Sequence, residues 1–173
     1  SVTSELLLDD VRLPADAALP EARGLRGPLS CLNEARYGIV WGAAGAARAC
    51  FEAALDYAGD RVQFGRPIAS FQLVQGRLAG MAVDVSRATL LAHHLGGMKD
   101  AGTLRPQQVS MGKLANVNAA LEVARTARQV LGANGVTLEY PVIRHMSNLE
   151  SVSPMRAPPT STRRSRRCGG RVS

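Results

Sequence analysis

The chain has 173 residues, 46% of them apolar but only 4% aromatic, and a formal net charge of +7. Alanine and leucine lead the composition, and both favour helix over strand, which argues against a β-sandwich. No apolar run reaches the roughly 18 residues of a membrane span, and Cys31, Cys50 and Cys168 show no disulfide or metal-ligand spacing, which fits a reducing cytoplasm. The opening residues Ser1 to Asp10 lack the basic and long apolar regions of a secretory leader.

The charge is unevenly placed. Residues 151–173 hold six arginines (Arg156, Arg163, Arg164, Arg166, Arg167 and Arg171) and no acid, while the first 150 residues hold 15 basic and 14 acidic side chains. A nucleic-acid-binding body would spread its basic charge over the folded surface. An arginine tail without aromatics would bind nucleic acid weakly and without specificity, so a tail that binds nucleic acid is the weakest of three functional readings.

In chain order, residues 1–20 read as extended structure, with Leu6-Leu7-Leu8, an Asp9-Asp10 turn and alternation into Pro14. One or two strands cannot form a stable sheet alone. Gly24, Gly27 and Pro28 mark a linker. A first helix is expected over about Ser30–Asp60, with Leu32, Ala35, Ile39, Ala43, Ala46, Cys50, Ala54, Leu55 and Ala58 near the helical period. Gly38, Gly42, Ala43, Gly45 and Ala46 form a small-residue stripe that suits close helix packing. Gly65 and Pro67 punctuate a break. A second helix follows over about Ser70–Asp100, burying Leu73, Leu78, Met81, Val85, Ala88, Leu91, Ala92 and Leu95. Gly102 ends it, and Pro106 suits the first turn of a third helix. That helix carries Val109, Leu114, Val117, Ala120, Leu121, Ala124, Ala127, Val130 and Leu131, and Gly132 and Gly135 stop it. A short fourth helix is expected from Pro141 to Leu149. The fold class is therefore all-α, a bundle of three long antiparallel helices plus a short one over residues 29–150. Residues 1–28 read as a separate β remnant and linker. Residues 151–173, rich in Ser, Pro, Thr, Arg and Gly, cannot bury enough apolar surface to offset ordering entropy and are expected to be disordered.

Three groups of residues could carry chemistry. Asn33 and Arg36 lie three apart on the first helix, so both can face one way, and Arg36 could meet a phosphate or carboxylate. The plain alternative is a solvated helix face. Arg61 precedes a glycine-bearing turn, and its planar fork of donors suits a pyrophosphate. The alternative there is a cation complementing the helix dipole. Gln129-Val130-Leu131-Gly132-Ala133-Asn134-Gly135 brings closely spaced glycines to a helix end, where they can admit a ligand or simply stop the helix. His145 has no Ser, Cys or acidic partner at a recognisable spacing and reads as structural, and His93-His94 lack further metal-ligand spacing.

Taken in order, Cys31-Leu32-Asn33-Glu34-Ala35-Arg36-Tyr37-Gly38-Ile39, Arg61-Val62-Gln63-Phe64-Gly65-Arg66-Pro67, Gln72 and Gln129 to Gly135 resemble the C-terminal helical domain of the acyl-CoA dehydrogenases, most closely the glutaryl-CoA type. The resemblance covers about residues 3–152, and Leu8 to Pro14 is similar to the end of the family's middle β-domain. It implies a flavoprotein that dehydrogenates an acyl-CoA, glutaryl-CoA in the parent protein, with electron-transfer flavoprotein as acceptor and a homotetramer as assembly. It implies that Cys31, Leu32, Asn33 and Arg36 contact acyl-CoA. It further implies that Arg61, Phe64, Gln72, Gln129, Gly132 and Ala133 hold FAD, partly across a subunit boundary. Ala133 stands where the family usually has a second glycine, which places a methyl beside the cofactor.

The family's catalytic Glu sits in a Tyr-Glu-Gly-Thr motif, and this chain has Ser153-Pro154-Met155-Arg156-Ala157-Pro158 in that place. No catalytic residue is assigned, and the chain as given is expected to be inactive. Pro154 to Thr162 can be encoded so that the adjacent frame reads Tyr-Glu-Gly-Thr-Pro-Asp-Ile-His. The arginine-rich tail is thus expected to be out-of-frame translation, and the chain a truncated fragment. The rival to the dehydrogenase reading is a non-catalytic helical module that oligomerises through its long helices.

Overall fold

A computed structural model of the chain describes residues 4–21 and 24–153. The expectations for the tail beyond Ser153, its disorder and its frame, fall outside those residues, as does Cys168. The architecture is a helical bundle: α1 (Arg26–Asp60), a minimal hairpin of β1 (Val62–Gln63) and β2 (Arg66–Pro67), α2 (Gln72–Asp100), α3 (Pro106–Leu131) and α4 (Val142–Val152). Short 3-10 turns at Ala15–Ala17, Ile68–Ser70 and Gly132–Val136 complete it. Lys99 reaches Glu34, so the end of α2 lies beside the start of α1. Asn134 reaches Tyr57, so α1 and α3 finish together. The long helices therefore run up, down and up.

Among residues 4–21 no strand forms, and Leu6, Leu7 and Leu8 are more than four-fifths exposed. An extended run with no neighbour to pair with makes no ladder. Helix α1 begins four residues before the expected Ser30, and α4 runs three past the expected Leu149. Pro106 stands at the first position of α3, and Gln108 Oε1 accepts the Arg105 N–H at 2.8 Å.

The core follows α2 and α3 closely as read from their periodicity, and α1 less so. Leu78, Met81, Ala88, Ala92 and Leu95 of α2 are buried, and so are Val109, Val117, Ala120, Leu121, Ala124, Ala127, Val130 and Leu131 of α3. Five expected core positions are instead open: Leu73 is 76% exposed, Leu114 and Leu32 are about half exposed, and Ala35 and Leu55 are exposed as well. The buried face of α1 is Val40, Ala43, Ala44, Ala47, Cys50, Ala54 and Ala58, rotated from the expected stripe. An alanine-rich helix is apolar nearly all round, so the position of α3 decides which alanines are buried. Burial pushes the Cys50 thiol up to about 11.

In the small-residue stripe the alanines pack, with Ala43 buried and Ala46 half-buried against the core, but the glycines do not. A Cβ built on Gly38, Gly42 or Gly45 meets nothing within 4 Å. A glycine is required instead where α2 meets α3: a Cβ on Gly112 would collide with Leu95 Cδ1. Beside it lies Asn116, the one buried polar side chain among the described residues. Its Nδ2 donates to the Val40 carbonyl of α1 at 3.0 Å and to the Ala88 carbonyl of α2 at 2.9 Å. One amide thus fastens three helices at a single level.

Candidate functional site

The first candidate group lies on the opening turns of α1. Arg36 Nη1 donates to Asn33 Oδ1 at 3.2 Å, so the two share a face as their spacing implies. Asn33 lines a hollow of about 320 Å³ with Glu34, Tyr37, Lys99 and Leu104. Lys99 Nζ bonds both Glu34 carboxylate oxygens at 2.7 and 2.8 Å and lies 5.0 Å from the Tyr37 ring centre. Cys31, Leu32 and Arg36 are exposed and stand outside that hollow.

The second group surrounds the hairpin. Arg61 closes α1, its N–H donating to the Tyr57 carbonyl at 2.9 Å, and its own carbonyl accepts the Ile68 N–H at 2.8 Å. Phe64 and Gly65 make the two-residue turn between β1 and β2, with φ of 55° and 77°. Two successive positive φ values match the twist of a tight hairpin. Glycine takes such a φ freely, but the Cβ of Phe64 costs about 1–2 kcal/mol there. Its ring is 93% exposed and meets Phe71 edge-on at 6.2 Å, while the Arg66 guanidinium sits 4.2 Å over the Phe71 ring. Gln72, the first residue of α2, is exposed.

The third group is the turn after α3. Gly132 has φ 61° and ψ −129°, a conformation that is essentially glycine's alone. Gly135 is packed so tightly that a Cβ there would lie 2.5 Å from the Arg128 carbonyl oxygen. Gly132 and Ala133 are exposed, and Gln129 points to solvent.

Two of these groups converge. Arg61, Gly132 and Ala133 line one hollow of about 320 Å³, together with Tyr57, Gln63 and Asn134. It holds no acid of its own, but Tyr57, Arg61 and Asn134 also line the adjoining hollow of about 500 Å³, where Asp56 and Asp60 stand. Phe64, Gln72 and Gln129 border this end of the bundle without lining the hollow. The Asn33 and Arg36 group is far away, since 25 residues of α1 between Arg36 and Arg61 span about 38 Å at 1.5 Å each. Its own lining suits the diphosphate of a dinucleotide, with a guanidinium and an uncovered glycine backbone, while Arg61 is shared with the acidic hollow beside it. Ala133 places its methyl at the rim, where the resemblance expects glycine.

Tyr57 and Asn134 were not singled out from sequence. Asn134 Nδ2 donates to the Tyr57 hydroxyl at 3.2 Å, and the Tyr57 ring meets Tyr140 edge-on at 5.7 Å. No local signal announces a contact over 77 residues; the only hint is that Tyr57 and Arg61 are four apart on one helix. His145 lies half-buried on α4 with its pKa held below the ordinary imidazole value, chiefly by burial and secondarily by Arg144. His93 is exposed and edge-on to Trp41 at 4.9 Å, and no metal-holding cluster occurs among the described residues. No helix among them is long and apolar enough to cross a membrane.

The sequence pattern described as acyl-CoA dehydrogenase, C-terminal domain, matches residues 22–155. Glutaryl-CoA dehydrogenase of Desulfococcus multivorans is 41% identical over 146 residues, covering 83% of this chain and 38% of that protein. The mitochondrial short-chain specific acyl-CoA dehydrogenase of Homo sapiens is 34% identical, covering 84% of this chain and 35% of that protein. A crystal structure of a glutaryl-CoA dehydrogenase from Mycobacterium smegmatis in complex with FADH2 superposes with a TM-score of 0.81 at 54% identity, covering 84% of this chain and 38% of that one. The chain thus spans under two-fifths of the length of these relatives.

Proposed function

The chain belongs to the acyl-CoA dehydrogenase family, and from that premise we propose that it is the C-terminal helical part of an FAD-dependent dehydrogenase of the glutaryl-CoA type. The observation that carries the proposal is the convergence of Arg61 with Gly132 and Ala133 on one acid-free hollow. Arg61 holds a phosphate through its fork of donors, and the bare Gly132 backbone lets the ligand approach closely. Phe64, Gln72 and Gln129 flank that end and take the outer parts of the dinucleotide. When bound, FAD supplies the acceptor for the hydride that leaves the β-carbon of an acyl-CoA.

Asn33 and Arg36, with Cys31 and Leu32 beside them, are the proposed acyl-CoA contacts. Their distance from Arg61 means that one α1 serves two sites, its start meeting substrate and its end meeting a flavin roughly 38 Å off. Completing both calls for further copies of the chain, so a homo-oligomer is part of the proposal. Electron-transfer flavoprotein is the proposed acceptor and the cytoplasm the proposed setting. The sequence carries no Tyr-Glu-Gly-Thr, so the α-proton has no assigned base, and the chain by itself is proposed to be inactive.

The test is titration of the full chain with FAD, followed by flavin fluorescence and by absorbance near 450 nm (a general flavin property). Saturable binding that weakens about tenfold in Arg61→Ala is expected from losing a charge-assisted contact. Absence of saturable binding would overturn the reading. A second reading, a non-catalytic oligomerisation module, is favoured by the open side of α2, where Leu73, Val83 and Leu90 are 76%, 47% and 69% exposed. A chain that self-associates and ignores FAD would decide for it.

A further inference from the structure

Tyr57, Arg61 and Asn134 line two adjoining hollows, one free of acids and bounded by Gly132 and Ala133, the other bounded by Asp56, Asp60 and Tyr140. The Tyr57 carbonyl accepts the Arg61 N–H at 2.9 Å, and its hydroxyl oxygen accepts from Asn134 Nδ2 at 3.2 Å. Asn134 is itself fixed, because its carbonyl accepts from the Thr137 N–H at 3.2 Å and from Thr137 Oγ1 at 2.9 Å. The Tyr140 ring holds the phenol edge-on. An amide nitrogen can only donate, so the Tyr57 oxygen is engaged as acceptor and keeps its own proton to give. Among the described residues that O–H donates to nothing.

We propose that the Tyr57 hydroxyl is a ligand-directed donor for a phosphate oxyanion, aimed by Asn134 and acting beside Arg61. The inference rests on the flavin-site reading and adds to it a binding residue and the residue that positions it. The choice of hollow follows from charge. The hydroxyl and Arg61 can share an anion on the side lined by Gly132 and Ala133, whereas Asp56 and Asp60 repel one on the other side.

Inorganic pyrophosphate is the probe, titrated into the full chain and followed by amide and tyrosine-ring NMR shifts. Shifts are expected at Gly132, Ala133, Asn134 and Tyr57. Tyr57→Phe keeps the ring and is expected to weaken binding roughly tenfold, since a hydrogen bond to a charged group is lost, with only the small drop in melting temperature that losing the Asn134 contact brings. Asn134→Asp separates donation from mere scaffolding. The carboxylate accepts the phenolic O–H and by its charge alone lowers pyrophosphate binding, so the deciding readout is the second change: adding Tyr57→Phe lowers binding no further in this background, although it does so in the parent. If Tyr57→Phe binds pyrophosphate as tightly as the parent, or if pyrophosphate shifts nothing around the hollow, the donor role is wrong. If pyrophosphate binds as described but FAD does not, the donor stands and the flavin reading fails.

Discussion

The two ends of α1 are held in different ways. At its start, Arg26 to Arg36 lie largely exposed, and the lateral tie is the Glu34–Lys99 ion pair, whose side chains are 66% and 37% exposed. At its end, Tyr57 and Arg61 are joined to the hairpin and to the turn after α3 by backbone bonds, an amide–hydroxyl bond and an edge-on aromatic pair. An exposed ion pair is screened and contributes at most about 1 kcal/mol. Backbone bonds of 2.8 and 2.9 Å at Arg61 and the part-buried Asn134–Tyr57 bond at 3.2 Å fix positions before any ligand arrives, which lowers the ordering cost of binding. The tied end is therefore held in place by the chain's own contacts, while the loose end has few of them.

The largest effect is expected where the loose end is anchored inward. Asn116→Asp would set a carboxylate against the Val40 and Ala88 carbonyl oxygens, two acceptors. A cost of about 3–5 kcal/mol in urea unfolding is expected. A smaller loss would mean that Asn116 does not anchor the start of α1. At the tied end, Gly135→Ala drives a methyl onto the Arg128 backbone, with its oxygen at 2.5 Å and Cα at 2.8 Å. About 2–3 kcal/mol is expected, with faster amide exchange across residues 132–136. Unchanged exchange there would erase the contrast between the ends.

Next comes a dependence on pH that belongs to neither end. The His145 pKa lies below its unfolded value of about 6.5. The unfolded chain then binds more protons near that value, so stability is full above it and falls as pH drops through it. His145→Gln should flatten that part of the pH–stability curve; a curve left unchanged would remove the imidazole from the account. The smallest effect is at the loose end, where Glu34→Gln should cost under about 1 kcal/mol and speed exchange only near residues 27–35. A loss above 2 kcal/mol there would show that the start of α1 is not loose.

What could be read from sequence divides along physical lines. The extents of α2 and α3 were legible because Leu78 to Leu95 and Val109 to Leu131 repeat on one face and Gly102, Pro106 and Gly132 punctuate them. The Asn33–Arg36 pairing was legible from spacing alone. The buried face of α1 was legible only in part: Ala43, Cys50, Ala54 and Ala58 were on the expected stripe, but Val40, Ala44 and Ala47 were not, because alanine suits either face and only the packed neighbour chooses. Asn116, Gly112 and the Tyr57–Asn134 bond were also hidden, since each depends on residues brought together from different helices. Of the candidate flavin contacts, Arg61, Gly132 and Ala133 share a hollow. Phe64, Gln72 and Gln129 do not, although the same motif order pointed to all six.

The fork of Asn116 also limits how the bundle can move. A slide of α1 or α2 by a single residue, about 1.5 Å along the axis, would break one of its two bonds and strand a buried amide hydrogen. Shear between packed helices, a common low-cost route of domain motion, is thereby closed at that level. A push applied at Arg61 must then travel along α1 as through a rod, displacing Arg36 by rigid rotation instead of being absorbed by slippage on the way.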